Sequence, residues 1–139
     1  MKTLISTLTL GIAGALAIGI GGAITLTPDT FFASYGVVLP DSIDLYSEIR
    51  APGANLAVLG ALIFVGAFKA EWRHFSASLG AALFLAYAAG RLVSIVLDGT
   101  PSSAILLALV IELLVGGSCA LALRRARSRS IRKDHPQLA

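Results

Sequence analysis

The chain has 139 residues, of which 56% are hydrophobic and only 14% charged, and its mean hydropathy is +0.83. A soluble domain carries roughly 25% charged residues, so this composition disfavours a water-soluble enzyme, and length leaves room for one domain at most. A disordered chain would be far less apolar, and a disulfide scaffold would need more than the single Cys119. The net charge of +3 is less informative than its placement: Arg124, Arg125, Arg127, Arg129, Arg132 and Lys133 gather in the last sixteen residues. A basic tail directly after an apolar stretch reads as facing anionic lipid, and no aromatic residues interleave it to stack on bases, so nucleic acid is not expected as a partner.

About 20 apolar residues are needed for a helix to cross the hydrocarbon core. Residues 3–26 meet that length without a charge and start the chain. The run is too long for the apolar region of a cleaved leader, and more apolar sequence follows Ala15-Leu16-Ala17, so it is expected to stay as a helix. Thr27-Pro28-Asp29-Thr30 then reads as a helix start, with a capping hydroxyl, a proline at the first position and an acid behind it. Phe31, Phe32 and Tyr35 follow, and Gly36 is placed to end the turn in a left-handed conformation, which predicts a short helix lying at the interface. Pro40-Asp41-Ser42 opens a second helical stretch over residues 43–50, leading into a span over residues 51–68 with Pro52 at the junction. Lys69, Trp72, Arg73 and His74 make a compact turn, with Trp72 as an interfacial anchor. A third span covers residues 75–97 and contains Arg91. The turn Asp98-Gly99-Thr100-Pro101 leads to a fourth span over residues 104–123, which contains Glu112.

The expected fold is all-α: an antiparallel four-helix transmembrane bundle with a short interfacial helix in the first outer loop. Residues 1–123 form the membrane domain and residues 124–139 a basic cytoplasmic tail. Lys2, Lys69, Arg73 and the six tail cations fall on one side and Arg50 alone on the other, so both termini are expected in the cytoplasm, in a bacterial inner membrane. Between lipid-immersed helices, close approach at small residues replaces the hydrophobic effect. Gly11, Ala15, Gly19 and Ala23 on the first helix, and Ala82, Ala86, Gly90 and Ser94 on the third, are candidate packing ridges.

Charged groups inside a span cost about 2.5–3.5 kcal/mol on insertion scales and need partners. Arg91 lies about 9 Å and Glu112 about 12 Å from the same end of the bundle at 1.5 Å per residue, so the two are predicted to pair. Tyr87, Ser94 and Asp98 continue a polar stripe on the helix of Arg91, and Glu48, Arg50 and Asn55 lie in the same half of the bundle. The eight residues are candidates for one polar network, either a ligand site opening outward or an ion pair that specifies the bundle. No metal site and no cofactor are expected, because His74 and His135 lack a second ligand at helical spacing. Cys119 sits among apolar residues and reads as a packing residue, and Gly19-Ile20-Gly21-Gly22 lies inside a span, where it cannot cradle phosphate.

Three stretches carry a family resemblance. They are Glu48-Ile49-Arg50-Ala51 with Gly53 and Gly60, Gly90-Arg91-Leu92-Val93-Ser94 with Asp98-Gly99-Thr100-Pro101, and Glu112 in the fourth span. In order and spacing the chain resembles the small bacterial membrane proteins of the domain of unknown function 4345 family over most of residues 5–120. Pro52 and Ala54 stand where that pattern is richer in glycine, and the basic tail lies outside it. The resemblance implies a four-helix integral membrane protein and groups the polar positions without assigning them a task. The functional expectation is a non-enzymatic accessory or scaffold subunit, in contact with membrane lipid and assembling with itself or a larger complex. The alternative is small-molecule or lipid binding or transport at Arg91 and Glu112.

Overall fold

The computed structural model describes residues 2–134, with side chains described for residues 4–124. The elements in chain order are α1 (Lys2–Leu26), α2 (Pro28–Ala33), α3 (Ile43–Phe68), a 3-10 turn (Ala70–Trp72), α4 (Arg73–Asp98) and α5 (Ser103–Asp134), with no strand among the described residues. Four stretches are long and apolar enough to cross a membrane: Leu4–Leu26, Ile43–Phe68, Ala70–Asp98 and Ser103–Arg124. The short α2 lies against α1 and α3 at one end of the bundle.

Local signals account for most of the helix ends. Ser42 accepts a hydrogen bond from the Leu45 amide and starts α3. After α2 the chain closes with Val37 N–H bonded to Phe32 O and Gly36 N–H to Ala33 O. This is the six-to-one, five-to-two pairing of a Schellman turn, and it requires the left-handed φ of +76° found at Gly36. Two expectations are corrected here. The Thr27 hydroxyl does not cap α2; it donates to Ala23 O, as does its amide, so Thr27 finishes α1, while Pro28 at the start of α2 has no N–H to satisfy. Residues 43–50 are not a separate stretch before the span: α3 is one 26-residue helix that carries Pro52 in its interior. At the other end of the chain α5 continues past the expected boundary at residue 123 to Asp134. The side chains of Lys2, Arg125, Arg127, Arg129, Arg132 and Lys133, and all of His135, lie outside the described residues.

The packing surfaces differ from the expected ridges. On α1 the buried line is Leu10, Ala13, Gly14, Ala17 and Gly21, whereas Ala15 and Gly19 are exposed. A Cβ added at Gly14 would stand 2.7 Å from the Phe64 backbone, one at Gly21 2.4 Å from Ala57 N, and one at Gly60 2.7 Å from Ile18 N. Glycines seven residues apart, Gly14 and Gly21 on α1 and Gly53 and Gly60 on α3, therefore let two antiparallel backbones touch, since seven residues are two turns along one face. On α4 the buried line is Ser76, Ala77, Gly80, Ala81, Phe84 and Ala88. Ala82, Ala86, Gly90 and Ser94 point away from the bundle, and a Cβ at Gly90 would meet nothing within 4 Å. Cys119 of α5 is fully buried against Gly80, and Gly116 against Leu85. The helices thus pack as two tight pairs, α1 with α3 and α4 with α5, joined through α3 and α4. The α1–α5 seam is the loosest of the bundle's helix contacts together with α1–α4.

Candidate functional site

Arg91 of α4 and Glu112 of α5 meet across the α4–α5 interface. Arg91 Nε donates to both Glu112 carboxylate oxygens at 2.9 Å. Their distances from the α4–α5 turn, about 9 and about 12 Å at 1.5 Å per residue, differ by less than a side-chain length, and antiparallel neighbours bring such depths together. Glu112 is 8% exposed and is the one buried acidic side chain among the described residues. The cation beside it spares the carboxylate the larger cost of being buried as an uncompensated charge.

Beside this pair lies a cavity of about 400 Å³ in the α2 end of the bundle. Its walls come from the loose seam: Leu16, Ala17, Ile20 and Ile24 of α1 face Ile105, Ala108 and Ile111 of α5, with Leu56 and Phe84 from α3 and α4. Phe31 and Phe32 of α2, with Tyr35 and Val37 after it, complete the lining, and Tyr87, Arg91 and Glu112 supply its polar side. The aromatic group is self-packed: the Phe31 ring lies 5.5 Å from Phe32 and 5.2 Å from Tyr35. A second, more open groove of about 510 Å³ runs along α4 past Ala86, Gly90 and Ser94 to Pro101. Tyr87, Arg91 and Ile105 line both spaces, so the arginine stands between them.

The eight polar candidates do not form one network. Tyr87, Arg91 and Glu112 come together at the cavity. Ser94 donates to Asp98 at 2.9 Å on the exposed side of α4. Arg50 instead donates to Thr25 O at 3.0 Å, a carbonyl in the last turn of α1 that has no partner within the helix, and its guanidinium lies 5.7 Å from the Tyr46 ring centroid. Glu48 and Asn55 are exposed and line neither space. The Tyr46 hydroxyl donates to Asp29, which ties α2 to α3 above the cavity.

Sequence reasoning missed the aromatic cover as a cavity wall and also missed the role of Arg73. Arg73 donates to Thr7 Oγ1 at 3.2 Å, joining α4 to α1 at the opposite end, while its Nε is buried without an acceptor. Among the described residues no group of three His, Cys, Asp or Glu is placed to hold a metal ion.

The family model for the domain of unknown function DUF4345 matches residues 5–123, so the chain belongs to that family. No curated protein and no solved structure matches the chain. The matched range takes in α2, α3, α4, the cavity lining and all but the outermost residues of the first and last apolar stretches.

Proposed function

We propose that this member of the domain of unknown function 4345 family binds a lipid-like small molecule inside the bilayer, in the cavity between α1, α4 and α5 beneath α2. The observation that carries the reading is the cavity itself: about 400 Å³ of space, walled by aliphatic and aromatic side chains, with one polar cluster at its edge. Small-molecule sites have this make-up, an apolar pocket of about 300–1,000 Å³ with a few fixed polar groups. A structural ion pair alone would be served by close packing around it. The role is binding, without catalysis: Glu112, the one buried carboxylate among the described residues, has both oxygens on Arg91. The protein resides in a bacterial inner membrane with both termini in the cytoplasm, a reading supported by nine Lys and Arg on one side against Arg50 on the other. The cavity then lies in the outer half of the bilayer.

Filling the space tests the proposal. Ala108 lines the cavity and is only partly buried, so Ala108→Trp puts an indole into the pocket. Native mass spectrometry of the purified full chain is expected to show one lipid-sized adduct per wild-type molecule and none on the variant, with the melting temperature unchanged or raised. An adduct that survives Ala108→Trp overturns the reading.

A second reading, an accessory or scaffold subunit, is favoured by one observation: the small-residue face of α4 through Ala82, Ala86 and Gly90 is exposed, with open space at Gly90. Such a face admits a neighbouring helix. On this reading Gly90→Leu lowers the molecular mass of the detergent-extracted assembly, by light scattering, while the bound adduct stays. An unchanged mass removes it.

A further inference from the structure

We infer that the ligand is an uncharged single-chain lipid whose hydroxyl or carbonyl oxygen accepts hydrogen bonds from the terminal guanidinium nitrogens of Arg91; this rests on the cavity being the binding site. The geometry of the ion pair leads to it. Both carboxylate oxygens of Glu112 sit 2.9 Å from one nitrogen, Nε. That arrangement exhausts the Nε–H and leaves the four N–H donors of the two terminal nitrogens without a protein acceptor among the described residues. The Arg91 side chain is 28% exposed against 11% for Glu112, and it lines both the cavity and the groove along α4. In water such donors would be solvated, but in hydrocarbon they need an acceptor brought by a partner.

The charge of the site selects the acceptor. Arg91 and Glu112 together are neutral, so an anionic head that reaches the terminal nitrogens also approaches a carboxylate fixed on the same guanidinium. Its attraction to one charge is offset by repulsion from the other, while it still loses its hydration. An oxygen without net charge takes the hydrogen bonds and avoids that repulsion. The Tyr87 phenol in the same lining adds a group that both donates and accepts, which suits a hydroxyl. Size selects the tail: about 400 Å³ is at the low end for a small-molecule site and fits one chain rather than the two of a phospholipid.

Competition binding on the full chain in detergent decides it, with tritiated 1-monooleoylglycerol as the probe and unlabelled 1-monooleoylglycerol, oleate and 1-octadecene as competitors. The wild type is expected to prefer 1-monooleoylglycerol over both others by about tenfold, the usual weight of a good hydrogen bond in a dry site. Glu112→Gln, nearly isosteric, leaves Arg91 uncompensated, so oleate is expected to overtake 1-monooleoylglycerol. In Arg91→Leu/Glu112→Met the three competitors become equal; if Glu112→Gln does not fold, that double variant alone decides. Oleate winning on the wild type, or octadecene matching 1-monooleoylglycerol there, overturns this inference while leaving the cavity as the site. Absence of saturable binding, or binding that Ala108→Trp does not weaken, instead removes the proposed function and this inference with it.

Discussion

Arg91 and Glu112 differ from every other residue in the bundle in how much they depend on each other. Removing one partner of a buried pair leaves an uncompensated charge, at a cost of about 3–5 kcal/mol, whereas replacing both with apolar groups of similar volume is often neutral. Glu112→Leu is therefore expected to lower stability by that amount in reversible denaturation in mixed micelles, and Arg91→Leu/Glu112→Met to return within about 1 kcal/mol of the wild type. Equal losses in single and double variants would show that the pair is not coupled. This contact was legible because two lone charges in apolar helices, at similar depth on antiparallel neighbours, have one economical arrangement. Arg50 and Asn55 were not legible in the same way. Arg50 was at the right depth but had a nearer acceptor, the unsatisfied carbonyl of Thr25 at the end of α1. Asn55 is exposed: at 100° per residue it points about 160° away from the buried Gly53 and about 140° away from the buried Gly60.

At the level of helices, the presence and order of the four spans could be read, and the faces they present to one another could not. In a water-soluble bundle the apolar stripe marks the inside. In lipid both faces are apolar, so hydrophobic periodicity says little, and small residues recur often enough to draw several ridges. The four-residue series Gly11, Ala15, Gly19, Ala23 was one of them; the contact instead uses Gly14 and Gly21 against Gly53 and Gly60. A matching seven-residue spacing on two sequential helices was the available signal. The consequence is a paired contrast. Gly21→Leu must push α1 off the α3 backbone, an overpacking cost of about 1–3 kcal/mol, while Gly19→Leu projects into open space. Thermal unfolding in detergent is expected to show a lowered melting temperature for the first variant and an unchanged one for the second; the reverse order would place the α1–α3 contact on the other face.

Over the whole molecule, loop lengths fix which consecutive helices are neighbours but do not fix how tightly the first and last helices close the ring. Here α1 and α5 meet loosely, and the space left in that seam is the cavity, with α2 folded over one end of it. On the proposed binding function, which side of the membrane that end faces decides where a ligand is taken up. The cations predict the outside: Arg50 is alone near α2, whereas Lys69 and Arg73 flank the 3-10 turn at the opposite end. The chain offers a quiet background for testing this, because its single cysteine, Cys119, is fully buried. Cysteines introduced at the exposed positions Asp41, ahead of α3, and Glu71, in the 3-10 turn, sit at opposite ends of α3. In intact cells a membrane-impermeant maleimide is expected to label Asp41→Cys, and to reach Glu71→Cys only after the membrane is opened. Labelling of Glu71→Cys in intact cells would invert the bundle and turn the cavity toward the cytoplasm. The pocket and its ion pair would be unchanged by that inversion, but ligand uptake would then have to be from the inner leaflet.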